Sequence, residues 1–283
     1  MALSIAFSSC PNDTFVFHAL VRGLLPGVPA FDVTHADVDV TNTSAGTGQY
    51  DIVKVSYAAL PWLLDQYTLL PCGGALGRGC GPLVVVRDLA SAGPADGDGD
   101  LAGRTVVVPG ERTTASLLLR LWSASRPPAS VTVLPFSEIM PAVAAGRFDA
   151  GLVIHEARFT HAQYGLRALV DLGDWWEADT GLPIPLGAIL ARRPAEADGG
   201  VDPAAAAEWI RASVRYAWAH PAASDEYVLS HAQETAPDVV SQHIALYVNR
   251  FTEDLGDEGY RAAETLLRRA AERGLAPAVG PLR

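Results

Sequence analysis

DAGLVIHEARFTH, residues 149–161, is the stretch from which the fold is read. Ala150–Ile154 is short and apolar, and a polar cluster bounds it, which predicts a buried strand. His155 follows directly, with Glu156, Arg158, Thr160 and His161 crowded behind it. In open α/β sheets ligands lie beyond the carboxyl ends of the strands. An imidazole at such a place can act as general base or acid near neutral pH. A histidine at a strand end is also commonly a satisfied structural residue, so position alone leaves both uses open.

The pattern repeats on either side. Thr105–Val108 and Val131–Leu134 read as strands, and Ser116–Ala124 and Ser137–Ala145 as helices, the first with Leu117, Leu118, Leu121 and Trp122 on one face. This alternation predicts a largely parallel sheet with right-handed crossovers. Leu169–Leu172 and Gly187–Ala191 supply further strands, with Trp175 and Trp176 on a helix between them. Towards the N-terminus, Leu3–Ser8, Phe31–Val38 and Asp51–Val55 read as strands. Pro11-Asn12-Asp13 is turn chemistry, and Asn12 or Asp13 is expected to cap a helix over Thr14–Val21. A weaker helix is expected over Thr41–Gly48, and strands at Tyr67–Leu70 and Leu83–Val86 flank GGALGRGCGPL. Beyond Pro194–Asp202 only helices are expected: Pro203–His220 with Asp202 as its cap, Ser224–His231, Asp238–Val248 and Glu258–Arg273. Such a tail must cover another part of the protein. The reading adopted is a discontinuous large lobe, 1–88 with 192–283, and an inserted lobe, 89–191, whose boundary is marked by the linker-like SAGPADGDGD at 91–100.

A chain of 283 residues exceeds the usual size of one hydrophobic core, so two domains are the default. With 21 Lys+Arg against 32 Asp+Glu, the net charge of −11 offers no basic field for nucleic acid and disfavours an anionic membrane surface. A local site can still take a small acidic molecule. Cys10, Cys72 and Cys80 form no CxxC pair and read as reduced thiols. The first Lys or Arg is Arg22 and no apolar run approaches the ~18–20 residues of a membrane span, so the expectation is a cytoplasmic protein without membrane insertion.

Three strand-to-helix junctions carry hydroxyls and free amides: Ser8–Thr14, Lys54–Tyr57 and Thr113–Ala115. A helix start leaves N–H groups unpaired and favours negative charge. A carboxylate held by Ser56 and Thr114 is one reading, and plain N-capping is the other. Arg78 and Arg158 are the cationic candidates for that carboxylate, with surface ion pairs as their alternative. His155-Glu156 with His161 does not fit HExxH, and the chain has no GxSxG elbow and no GxxxxGK[ST]. The glycines of 73–81 run into Pro82 and a β-branched stretch rather than a helix, so a connection that brings backbone close to a ligand is expected there. Cys10 could serve as a nucleophile or as a buried inert thiol, and Lys54 as a Schiff base or a plain charge.

The combination of SSCPNDTFVFHAL (8–20), KVSYAAL (54–60), GGALGRGCGPLVV (73–85), PGERTTA (109–115), GLVIHEARFTHAQYGL (151–166), DLGDWWEADTGLPIPLGAIL (171–190) and YVNRF (247–251) resembles the 1,4-dihydroxy-6-naphthoate synthases of the futalosine route to menaquinone. The resemblance implies a type 2 periplasmic-binding-protein-like fold, two α/β lobes around a central cleft with a helical C-terminal region. It implies conversion of cyclic dehypoxanthine futalosine to 1,4-dihydroxy-6-naphthoate with release of the sugar fragment. It also implies His155 as proton acceptor and Lys54, Val55, Ser56, Thr114 and Ala115 as substrate contacts. Thr113, Asn12, Asp13 and Arg78 join them as binding candidates. The implied partner is a small-molecule carboxylate, no metal or organic cofactor is implied, and monomer and homodimer both stay open. Ser9 stands where the family turn usually has proline, and the acidic loop near 91–100 is longer than usual. Two other readings remain: a chorismate dehydratase-like enzyme, and a solute-binding receptor for a small carboxylate.

Overall fold

The computed structural model describes residues 2–88, 100–194, 201–233 and 235–283. The chain runs β1 (Leu3–Phe7), α1 (Pro11–Val21), β2 (Phe31–His35), α2 (Val38–Ser44) and β3 (Ile52–Ser56). A 3-10 segment at Tyr57–Trp62 leads to β4 (Tyr67–Leu69), β5 (Ala75–Gly77) and β6 (Leu83–Arg87). Then come β7 (Thr105–Val108), α3 (Thr114–Trp122), β8 (Ser130–Val133), α4 (Phe136–Ala144), β9 (Ala150–Val153) and the single turn α5 (Ala157–Thr160). β10 (Leu166–Asp171), α6 (Leu172–Thr180) and β11 (Ile184–Arg192) complete the sheets. The remainder is helical: α7 (Pro203–Ala219), α8 (Asp225–His231), α9 (Pro237–Tyr247), α10 (Arg250–Glu253) and α11 (Gly256–Glu272). No described helix is long and apolar enough to cross a membrane.

The chain divides into one unit of Met1–Gly77 with Pro185–Arg283 and a second of Arg78–Ile184. These boundaries lie before the expected 88/89 and 191/192, because β6 pairs with β9 and β10 in the second sheet while β11 pairs with β3 and β4 in the first. The acidic stretch expected to mark the boundary, 91–100, lies outside the described residues apart from Asp100.

The first sheet has the order β2-β1-β3-β11-β4, with β5 beside β11, and the second β10-β6-β9-β7-β8. The parallel pairing expected over 105–154 is present, and each sheet also holds a reversed strand. β1, β2 and β3 are parallel, as are β7, β8 and β9, but β11 and β6 run antiparallel to their neighbours. Both reversed strands are buried along nearly their whole length, so they read as continuous apolar runs that fix no direction.

In the first unit Ile5, Phe7, Phe17, Leu20, Ile52 and Ile189 meet the α7 stripe of Ala206, Ile210, Val214 and Ala217. Its spacing is that of one helix face. Burying each large aliphatic side chain contributes roughly 1.5–3 kcal/mol. Ser213 sits on that stripe too: its Oγ donates to the Val16 carbonyl at 2.6 Å and accepts from Leu20 N at 3.1 Å, which ties α7 to α1. The second unit has its own core of Leu83, Val85, Val107, Ile139, Val143 and Val153.

Two local expectations change. α1 begins at Pro11, with Cys10 in the cap position and no capping side chain, so neither Asn12 nor Asp13 caps it. Proline suits that first turn because it lacks the N–H that would go unpaired. Gly74 and Gly81 serve backbone-to-backbone packing: a Cβ on Gly74 would run into the Gly187 carbonyl, and one on Gly81 into the Gly173 backbone.

Candidate functional site

In the first unit the junction after β1 closes on Asp13, whose side chain is 1 % exposed. Its Oδ2 accepts from Ser8 Oγ at 2.7 Å and Ser8 N at 3.3 Å. Its Oδ1 accepts from Asn12 Nδ2 at 2.8 Å and takes the ammonium of Lys54, itself buried. A buried ion pair is tolerable where further hydrogen bonds satisfy both partners, and Asp13 has them. The pair is locally neutral, so Lys54 offers directed N–H donors rather than an uncompensated positive charge. The lane for its stem is made by Gly187, where a Cβ would sit 2.8 Å from Lys54 Cε.

Two residues on, Ser56 is held from both sides by Asn42 of α2. Ser56 N donates to Asn42 Oδ1 at 2.7 Å, and Asn42 Nδ2 donates to Ser56 Oγ at 3.0 Å. The hydroxyl therefore accepts from Asn42 and keeps its own proton for donation. Val55 between them is fully buried and supplies backbone only.

In the second unit His155 has φ 51° and is, among the described residues other than glycine, the one with positive φ. An L-residue in that region costs about 1–2 kcal/mol relative to the right-handed conformation. The ring edge packs against Phe136, with centroids 5.5 Å apart and planes at 86°. The turn behind it is anchored by Arg158, whose Nη1 donates to the Gly81 carbonyl at 2.8 Å and whose Nη2 pairs with Asp171 Oδ2 at 2.6 Å. His161 Nδ1 in turn donates to the Arg158 carbonyl at 3.0 Å. Arg158 and His161 therefore brace the His155 turn.

Thr113 caps α3, its Oγ1 accepting from Ser116 N at 3.1 Å, and Ser116 Oγ donates to the Gly110 carbonyl at 2.5 Å. The Thr113 hydroxyl is thus engaged within its own turn. Thr114 and Ala115 form the first turn of α3, and both are buried. Arg78 is committed elsewhere: it pairs with Glu177 at 3.2 Å and donates to the Gly181 carbonyl at 3.0 Å, while Glu177 Oε1 also accepts from Gly79 N at 2.7 Å. Its role there is to stitch 77–81 to α6. Burial pushes the Cys72 and Cys80 thiols up to about 12, so neither is a ready nucleophile near neutrality.

Asn42 and His243 escaped the reading of the sequence. His243 of α9 is fully buried and its Nε2 lies 2.9 Å from Asn12 Oδ1. Its signal was present: it stands on the apolar stripe of Val239, Val240 and Tyr247. Asn42 lies beside Thr41, which is equally buried, in a short helix with no apolar stripe, so nothing marks it as the residue that holds Ser56.

The two sheets, each with parallel strands joined through helices and one reversed strand, define a periplasmic-binding-protein-like fold. The periplasmic aliphatic sulphonate binding protein of Escherichia coli shares it with a TM-score of 0.67 over 100 % of this chain and 90 % of that one, at 16 % identity. An Archaeoglobus fulgidus protein of known crystal structure gives a TM-score of 0.86 and 29 % identity, covering 97 % of this chain and 98 % of that chain. The chain belongs to the menaquinone biosynthesis family, whose model matches residues 3–272. It is 59 % identical to the 1,4-dihydroxy-6-naphtoate synthase of Streptomyces coelicolor, over 99 % of this chain and 96 % of that protein. It is 46 % identical to the enzyme of the same name from Thermus thermophilus, over 99 % of this chain and 98 % of that protein.

Proposed function

We propose that this chain is a 1,4-dihydroxy-6-naphthoate synthase, working as a carbon–carbon lyase with His155 as its proton acceptor. The observation that carries the reading is the left-handed backbone at His155, at the end of β9 and braced by Arg158. Strain of this kind persists where the surroundings over-determine it, and it gathers at sites that need a side chain aimed one way. The names of the relatives, at 59 % and 46 % identity over nearly the whole chain, support the same activity.

In this reading the neutral imidazole removes a proton from cyclic dehypoxanthine futalosine. The electron pair left behind expels the sugar-derived fragment through carbon–carbon cleavage, and the new ring becomes aromatic. Lys54 and Ser56 of the first unit serve as substrate contacts through directed N–H and O–H donors, and Thr114 and Ala115 of the second unit are the further substrate contacts of this reading. Val55, Asn12 and Asp13 shape the first of these contacts.

His155→Asn tests the assignment, because asparagine accepts the left-handed conformation and leaves the backbone in place. With folding intact, kcat is expected to fall by about 10²–10⁴, the usual contribution of a positioned base. Near-normal kcat in that variant would remove His155 from the role.

A further inference from the structure

Within the first unit, the polar contacts of Asp13 continue into the core. Asn12 Nδ2 donates to Asp13 Oδ1 at 2.8 Å, and an ionised carboxylate only accepts, so this end of the Asn12 amide is its nitrogen. The oxygen end therefore faces His243 Nε2 at 2.9 Å, and that ring nitrogen carries a proton and donates it. Reading outward, His243 donates to Asn12, Asn12 donates to Asp13, and Asp13 takes the ammonium of Lys54. Every member of this chain is nine-tenths buried or more. The ring of His243 is itself fixed against Tyr247, with centroids 4.6 Å apart.

From this geometry we propose that His243 is a positioning residue for substrate binding: through Asn12 and Asp13 it sets the direction of the Lys54 ammonium. Removing its donor frees the Asn12 amide to turn over. That presents an oxygen to Asp13 in place of an N–H, and Lys54 loses its fixed acceptor geometry. The inference rests on the reading of Lys54 as a contact to the substrate. It adds a residue of α9, far from β3 in sequence, to the group that tunes that contact. Protonating His243 on Nδ1 would leave the Nε2–H in place, so the relay itself does not depend on the charge of the ring.

Four variants test it: His243→Leu, which removes the donor; His243→Gln, which returns an amide N–H near the Nε2 position; Asn12→Ala; and the double variant H243L/N12A. KM and kcat are measured with the cyclic substrate, alongside thermal melting. His243→Leu is expected to raise KM about tenfold, the loss of one buried hydrogen bond in a charged network, with kcat within about twofold. His243→Gln is expected to recover most of the wild-type KM, and the double variant to match Asn12→Ala alone. A wild-type KM in His243→Leu, or the same rise in KM on the Asn12→Ala background, would overturn the relay. Failure of the wild-type protein to turn over the substrate would instead sink the functional reading. The relay is then decided by nitrogen NMR of histidine-labelled protein: a proton on Nε2 of His243 supports it, and one on Nδ1 alone overturns it.

Discussion

Residues 51–56 and 149–154 occupy the same place in their two sheets and end differently. Each stretch opens with an aspartate that pins the neighbouring parallel strand. Asp51 Oδ2 accepts from Ser4 N at 2.8 Å and Ser4 Oγ at 2.9 Å, and Asp149 Oδ2 accepts from Thr105 N and Thr105 Oγ1, both at 2.8 Å. The register also agrees, with Ile52 opposite Ile5 and Ala150 opposite Val106. Beyond the shared start, the third residue after the aspartate is Lys54 in one unit and Leu152 in the other, both buried. The first strand runs into a hydrogen-bonded junction, Ser56 on Asn42, and the second into the left-handed His155. One backbone plan thus carries two kinds of chemistry: fixed polar donors in the first unit, a strained titratable ring in the second.

The sharpest way to break this contrast is at the buried pair. Asp13→Asn removes the negative charge opposite Lys54 and leaves a buried ammonium without its charge partner, which is expected to destabilise the protein by about 3–5 kcal/mol. Lys54→Met is expected to do less damage, since Asp13 keeps its donors from Ser8 and Asn12. Urea unfolding of the two variants side by side measures the difference. Equal losses would mean that Lys54 is held by packing rather than by Asp13. In the second unit, where Leu152 fills the corresponding place, Leu152→Met should cost under about 1.5 kcal/mol, as a volume-conserving swap.

Both units also rely on backbones that touch through glycine, Gly74 against Gly187 in the first and Gly81 against Gly173 in the second. Gly74→Ala and Gly81→Ala are each expected to cost about 2–3 kcal/mol, because backbone rather than a flexible side chain must give way. Gly81→Ala carries an additional consequence. Gly173 N donates to Asp171 Oδ1 at 2.8 Å in the cap of α6, and Asp171 also holds Arg158. Displacing Gly173 should therefore loosen the turn behind His155 and lower kcat, while Gly74→Ala should not. Thermal melts with parallel assays test whether stability and turnover separate in this way.

How far the sequence reveals this architecture depends on the reach of each interaction. The alternation of β7, α3, β8, α4 and β9, the Thr113 cap and the Asp202–Pro203 helix start are legible because neighbours within a few residues determine them. The direction of β6 and β11 is not, since strands buried on both faces carry no period that distinguishes parallel from antiparallel. Asp13 looks like a cap by its place before an apolar run, yet its partner is Lys54, on another strand and far along the chain. The glycines of 73–81 suggested a backbone facing a ligand. Gly74 and Gly81 instead meet the backbones of Gly187 and Gly173, about a hundred residues further on. His155 was marked by position and motif, but the left-handed backbone that sets it apart is visible only in three dimensions.

The smallest effect probes what the two units share. Burial alone would raise the Asp51 carboxyl, but the hydrogen bonds from Arg192 and Ser4 together outweigh it and hold the group below its ordinary range. Asp149 is lowered chiefly by the Thr105 amide and hydroxyl. A carboxyl lowered on folding stabilises the folded state above its unfolded pKa, and that contribution is lost as pH falls through the folded value. At pH ~7 Asp51→Asn is therefore expected to cost about 1 kcal/mol, a figure already reduced for solvent screening. Asp149→Asn should cost only a few tenths, because its carboxyl is largely exposed. Both deficits should shrink as pH drops below about 4, the window in which the wild-type carboxyls themselves take up protons. Urea midpoints for the wild type and both variants across that range provide the measurement. If the Asp149 deficit equals that of Asp51, the Arg192 pair adds nothing, and the aspartate-to-strand hydrogen bonds alone account for the device in both sheets.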